Sequence, residues 1–150
     1  MSDFVSKVRE FNAVAGTPEK YDSRKVCLYT GLVLEEVAEL IASYRDDSLN
    51  HLLKTLEVYS ARFKAGDFDR STATIDRVEA LDAAVDIAVV ALGAGISVGG
   101  DIVGACDAVA ENNLSKFPIV DGVRTVLKDE AGKVKKPPGY KPVDLTPFIK

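Results

Sequence analysis

The sequence predicts an all-α helical bundle followed by an irregular C-terminal arm. Long segments place apolar residues three and four positions apart, the spacing of one helix face. Breaks rich in glycine, proline or polar residues separate these segments, and no strand pattern alternates with them, which argues against a Rossmann-type sheet. The 150 residues fit a single domain over 1–150, with the arm at about 117–150, and a domain of this size buries roughly 70% of its unfolded surface.

The first two helices follow from apolar spacing and from their end signals. Residues 3–14 predict a helix that stops near Gly16-Thr17-Pro18. A second helix begins after a cap at Asp22 or Ser23 and runs to about Tyr44. It is too broadly apolar for a surface position, so we expect it to be central to the bundle.

Three further helices are predicted before the arm. Leu49 to Phe63 is a shorter amphipathic helix, and Ile75 to about Ile96 is the second central helix, with small residues that suit close helix approach. Gly99-Gly100 breaks it. Asp101 is then a plausible cap for a helix from Ile102 to Leu114.

The composition changes after Phe117, where five of the six prolines occur. Val123, Val126 and Val134, on either side of residues 129–132, allow a short hairpin in this arm.

Charge and composition exclude several partners. A net charge of −4 argues against binding of a nucleic-acid polymer. The most hydrophobic stretch, 83–99, carries Asp86 and three glycines, so we expect a buried helix and no membrane span. Cys27 and Cys106 lack metal-ligand spacing, and the N-terminus lacks the apolar core of a signal peptide. We therefore expect a cytoplasmic protein.

Two clusters of carboxylates interrupt the two central helices. They are Glu35, Glu36 and Glu39 in the first, and Glu79, Asp82 and Asp86 in the second. Helical spacing aligns each cluster on one stripe, and neither face carries a Lys or Arg to pair with it. Because unpaired carboxylates in a dry core are costly, a hard divalent cation held by both helices explains them best. The only histidine, His51, does not follow a glutamate by three positions, which excludes a di-iron Glu-x-x-His site and favours Mg²⁺.

Each of these residues also has a structural interpretation. The first acidic cluster could be a solvated helix face, and Glu79 could complement the helix dipole near its start. Asn113 could end its helix as a left-handed cap, and Lys116 could be a surface lysine.

The order of these motifs resembles one enzyme superfamily. LEEVAEL followed by EALDAAVD is similar to the EExxE and ExxD motifs of the all-α nucleotide pyrophosphohydrolases, which include MazG, the dimeric dUTPases, dCTP pyrophosphatase and phosphoribosyl-ATP pyrophosphohydrolase. VREFN, AVAENNLSKF and GKVKKPPGYKPVDL resemble a MazG-like branch, so the resemblance touches almost the whole chain. The two acidic motifs are further apart than is usual in this superfamily, and the excess is the segment from Leu49 to Phe63.

The resemblance implies Mg²⁺-dependent hydrolysis of a nucleoside triphosphate between the α and β phosphates, with Mn²⁺ as a substitute metal. It implies a homodimer or a dimer of dimers. The narrower alternatives are a dUTPase, a dCTP pyrophosphatase or a phosphoribosyl-ATP enzyme, and the alternative of another class is a non-catalytic oligomeric binding module. The resemblance implies that Glu35 and Glu36 act in catalysis, with Glu35 positioning or deprotonating water. It implies metal ligands at Glu36, Glu39, Glu79 and Asp82, supported by Asp86. It also implies that Asn113 and Lys116 bind the substrate.

Overall fold

A computed structural model describes residues 2–17, 19–68, 75–127 and 135–150. These residues are mostly helical, which confirms the all-α class. They divide into two compact units, Lys20–Arg77 and Met1–Glu19 with Val78–Lys150, and the single domain over 1–150 stays a prediction. The helices are α1 (Ser2–Val14), α2 (Ser23–Ala42), α3 (Asn50–Ala65), α4 (Arg77–Ser97) and α5 (Ile102–Leu114).

The Lys20–Arg77 unit is the antiparallel pair α2 and α3. The Asp22 carboxylate, one of the two predicted caps, caps α2 by accepting a hydrogen bond from the Lys25 amide at 3.2 Å. A 3₁₀ turn at Asp47–Leu49 leads into α3. Gly66 ends α3 with φ of +81°, a conformation that glycine adopts without steric cost.

Helices α2 and α3 cross with their backbones almost in contact at Gly31. A Cβ atom there would lie 2.7 Å from Cγ of Lys64 and 2.8 Å from the carbonyl oxygen of Ser60. The buried Ser60 hydroxyl donates a hydrogen bond to the Gly31 carbonyl at 2.8 Å. Only glycine therefore fits at this position of α2, and the serine fixes how the two helices meet.

The other unit is organised around the packing of α1 on α5. Ala110, Leu114 and Phe117 are its buried apolar residues, and the Phe117 ring lies 5.0 Å from the ring of Phe11. The carbonyl oxygen of Leu114, at the end of α5, accepts hydrogen bonds from the Phe117 amide at 3.0 Å and from Arg124 at 3.2 Å.

A lysine joins α1 to α5 electrostatically. The Lys7 ammonium lies 2.9 Å from Asp3 and from Glu111 and 3.5 Å from Asp107. Hydrogen bonds to Asp3 and Glu111 raise the pKa of Lys7 above its ordinary range, and the charge of Asp107 adds to this effect. The lysine thus stays charged where two helices carry acidic side chains.

The C-terminal residues close over the start of α5. The Asp101 carboxylate caps the helix through the Gly104 amide at 3.2 Å, as predicted. The Asp101 amide donates a hydrogen bond to the carbonyl oxygen of Phe148 at 2.7 Å. The Lys150 amide donates to the carbonyl oxygen of Gly99 at 3.2 Å. A Cβ at Gly104 would lie 2.8 Å from the Phe148 ring, so this glycine admits the aromatic side chain.

The arm contains a hairpin in a place that the sequence analysis did not predict. Strands β1 (Ile119–Val120) and β2 (Val123–Arg124) pair antiparallel, and the turn is Asp121-Gly122 with φ of +51° and +80°. Asp-Gly is a preferred dipeptide of two-residue type I′ turns, so this dipeptide was the sequence signal for a hairpin at this position. The hairpin predicted around 129–132 lies outside the described residues. A second 3₁₀ turn occupies Thr146–Phe148.

Helix α4 differs from the predicted central helix. Its position is as expected, but none of its residues is buried, and Val78, Leu81 and Val90 are 79%, 68% and 67% exposed. The expectation of burial is therefore wrong for the chain alone, because the described residues provide no apolar surface that covers this helix. By length and composition alone, α4 could also cross a membrane. One such helix is weak evidence for a membrane protein.

Candidate acidic site on α2 and α4

The acids of α2 border a cavity formed with α3. This cavity has a volume of about 290 Å³, and Glu35 and Glu39 line it together with Glu57 and Lys64 of α3. The Lys64 ammonium donates to Oε1 of Glu35 at 2.9 Å. The structure thus brings two of the predicted acids to one cavity wall and gives one of them a cationic partner.

The packing at Gly31 explains how Lys64 reaches Glu35. The lysine stem passes over the glycine, where a side chain would strike Cγ of Lys64. Glu35 follows Gly31 by four positions and so lies one helical turn further along the same face. The absence of a side chain at Gly31 leaves room for the Lys64 stem, and the Glu35 carboxylate one turn further on accepts a hydrogen bond from its ammonium group.

The sequence predicts that the acids of α2 lie in a dry, apolar environment, and the structure differs. Glu36 and Glu39 are exposed, and the Glu35 side chain keeps 44% of its accessible surface. The neighbouring Val37 and Leu40 are exposed as well. The described chain does not cover Val37 and Leu40, although Ala38 between them is buried, so water reaches the carboxylates.

The acids of α4 are likewise exposed. Glu79, Asp82 and Asp86 occupy one stripe of the helix, at spacings of three and four. An apolar row with the same spacing, Val78, Leu81, Val85 and Val89, runs beside them. The prediction that these carboxylates lie among buried apolar residues is therefore wrong for the isolated chain.

The two acidic clusters belong to different compact units, the α2 acids to Lys20–Arg77 and the α4 acids to the other unit. Within the described ranges, no group of three or more His, Cys, Asp or Glu side chains is placed to hold a metal ion. The donor set itself consists only of carboxylate oxygens, which fits a hard cation such as Mg²⁺. The metal-ligand assignment therefore stays a prediction.

The predicted substrate residues Asn113 and Lys116 interact directly. Lys116 donates from Nζ to Oδ1 of Asn113 at 2.7 Å. Asn113 lies within α5 and Ser115 forms its C-cap with a right-handed conformation, so the alternative of a left-handed asparagine cap is wrong. The two residues form one polar unit at the end of α5.

The sequence analysis did not predict two charged residues of the α2–α3 cavity, Glu57 and Lys64. They share a helix face with Leu53 and Ser60, at spacings of four, three and four along α3. A polar stripe at this period was the available signal. It was missed because the same helix also has an apolar stripe.

No family model, no curated protein and no solved structure matches the chain.

Proposed function

We propose that the chain is a cytoplasmic, Mg²⁺-dependent nucleotide pyrophosphohydrolase of the MazG-like type, which releases pyrophosphate and a nucleoside monophosphate. The observation that carries this proposal is the cavity wall of α2, where Glu35 and Glu39 stand one turn apart beside Lys64. The order of the acidic and NxxK motifs in the sequence supports it.

The carboxylates of α2 and α4 would have two roles, metal binding and activation of water. Glu36 and Glu39 on α2 and Glu79 and Asp82 on α4 would hold the metal, with Asp86 one turn further along. When bound, Mg²⁺ offsets phosphate charge and lowers the pKa of its water. Glu35 would orient or deprotonate the attacking water, and the hydrogen bond from the Lys64 ammonium at 2.9 Å would hold this carboxylate in place at the cavity wall.

The test is release of pyrophosphate from a panel of canonical and modified nucleotides in the presence of Mg²⁺. Glu36→Gln keeps the size of the side chain and removes its charge, so it should abolish release. Glu19→Gln is the matched control, because its ion pair with Arg9 is well exposed and such pairs contribute little. Equal release from wild type and Glu36→Gln would refute the assignment. Release of orthophosphate in place of pyrophosphate would refute the predicted bond cleavage.

The partner in this proposal is a second copy of the chain, bound through α4 as a homodimer or as part of a dimer of dimers. The exposed row from Val78 to Val89 has the spacing with which helices pack against each other. A membrane is the less suitable partner, because Glu79, Asp82 and Asp86 would have to enter hydrocarbon. Cross-linking or sedimentation of the purified protein tests this, and a monomer at micromolar concentration would contradict it.

A catalytically inactive oligomeric module remains the proposal from another class. The exposure of all the α4 acids is the observation that favours it, since solvated acids need no metal. The Glu36→Gln comparison separates the two proposals.

A further inference from the structure

Residues 146–150, which we call the latch, pair with the turn that joins α4 to α5. The Asp101 amide donates to the carbonyl oxygen of Phe148 at 2.7 Å. The Lys150 amide donates in the other direction, to the carbonyl oxygen of Gly99 at 3.2 Å. The latch therefore lies beside the turn as a further backbone segment, bonded to it at two points.

The latch has one side chain that is partly covered. Phe148 is half-buried beside Gly104, and the other side chains of the latch are exposed. A half-buried ring and two backbone hydrogen bonds give limited stabilisation, and ordering the latch costs conformational entropy of a similar size. The latch is thus a segment that can open locally while the rest of its unit stays folded.

The chain just before the latch is fastened near the other end of α5. Asn112 accepts a hydrogen bond from the Tyr140 hydroxyl and donates one to the carbonyl oxygen of Lys141, both at 2.7 Å. From Asn112 back to Gly104 the helix rises about 12 Å. The stretch from Lys141 to Phe148 can reach roughly 23 Å when it is extended. The connection is long enough for the latch to leave its place while the bonds at Asn112 persist.

The turn beside the latch sets the direction of α4. The amides of Gly99 and Gly100 close the end of α4 by donating to the carbonyl oxygens of Ile96 at 3.0 Å and Gly95 at 3.3 Å. Gly99 has φ of +78°, the left-handed conformation in which glycine commonly ends a helix. None of the residues of α4, which the structure describes in full, is buried. The turn, rather than burial along the helix, therefore fixes how α4 leaves α5.

We propose that the latch is releasable, is hinged at Asn112, and holds the turn and with it the direction of α4. When it is closed, it bonds to Gly99 and Asp101 and keeps α4 in one direction. When it is open, the turn of two glycines loses these bonds and α4 can swing. The latch thereby regulates how α4 meets a second copy of the chain, and this last step alone rests on the proposed function.

The experiment is amide hydrogen exchange of the full chain, followed residue by residue by NMR. Phe148→Ala should speed exchange of the Asp101 and Lys150 amides about tenfold, because the ring no longer holds the latch. The amides at 99–100 should exchange faster as well, since the turn has lost its bonds to the latch. The matched control is Ile149→Ala, a neighbouring side chain that is 57% exposed, which should change these rates by less than about twofold.

An equal increase in exchange at Leu114, inside α5, would overturn the latch, because opening would then be unfolding of the whole unit. Unchanged rates at 99–100 would overturn its hold on the turn, and equal effects of the two variants would overturn the role of the ring. The wild type in low urea gives a second measurement that needs no variant. Exchange at Asp101 that depends less on urea than exchange at Leu114 supports local opening, and equal dependence refutes it.

Sedimentation of the same two variants tests the effect on association. Phe148→Ala should weaken the dimer about tenfold relative to Ile149→Ala, because fixing the direction of α4 then costs part of the binding free energy. Equal association constants would refute the regulation. A monomeric wild type would refute the proposed dimer and the regulation together, and the exchange rates would still decide whether the latch exists.

Discussion

Helices α2 and α4 have the same kind of sequence and different surroundings. Both are long and apolar, and both carry a stripe of three acids. Helix α2 buries Cys27, Gly31 and Ala38 in a unit that includes α3, whereas α4 buries nothing. Apolar pattern alone therefore predicts that a helix needs a partner, but it does not say whether the partner lies in the same chain.

The largest expected effect of a single substitution is at the crossing of α2 and α3. Gly31→Ala places a Cβ within 2.8 Å of a backbone oxygen, so we expect a loss of about 1–3 kcal/mol in the free energy of unfolding. The matched change in α4 is Gly93→Ala, where nothing lies within 4 Å, and it should be neutral or stabilise by up to about 1 kcal/mol. Urea denaturation followed by circular dichroism measures both. Equal losses would show that the two helices are alike after all.

The second prediction concerns the partner of α4. Val89→Glu should convert the proposed dimer to monomer without unfolding the chain, because Val89 belongs to the apolar row and is 62% exposed. Val103→Glu is the control, since Val103 of α5 is also in a helix and is 66% exposed. Sedimentation velocity at several concentrations gives the association constant. Dissociation by both variants would place the contact elsewhere.

The third prediction tests packing in the unit that contains α4. Gly104→Ala should force the Phe148 ring from its place, at a cost of about 1–2 kcal/mol, because an aromatic side chain can shift more easily than the backbone at Gly31 can. Adding Phe148→Leu should restore part of the loss by making room. A double-mutant cycle in denaturant measures this coupling, and additive losses would mean that the two positions do not meet.

The smallest expected effect is electrostatic. The folded chain raises the pKa of Lys7, so the stabilisation by its charge is complete below the pKa of an unfolded lysine and is lost as the pH rises through the folded pKa. Lys7→Met should lower the melting temperature slightly at neutral pH, and its difference from wild type should shrink in strongly alkaline solution. A difference that grows with pH would contradict this sign.

The sequence was sufficient for the local features of the fold. The caps at Asp22 and Asp101 and the amphipathic α3 were predicted correctly, because caps and periodicity depend on neighbouring residues. The turn at Asp121-Gly122 also had a local signal, which was not used.

The surroundings of the acids were not predictable in the same way. Burial of Glu39 or Asp82 depends on surfaces far away in the sequence, and apolar residues beside an acid do not by themselves establish that it is buried. The pairing of Glu35 with Lys64 depends on two helices crossing at a glycine, and each residue looks ordinary by itself.

The division of the chain into two units has a consequence for synthesis on the ribosome. The α2–α3 unit is one continuous stretch, Lys20–Arg77, and its helices can pair as soon as both have emerged. Helix α1 emerges before this unit but packs on α5, so Phe11 cannot meet Phe117 until the whole continuous unit has been made. The apolar face of α1 thus stays exposed on the nascent chain while the α2–α3 unit is made, and a chaperone can bind it during that interval.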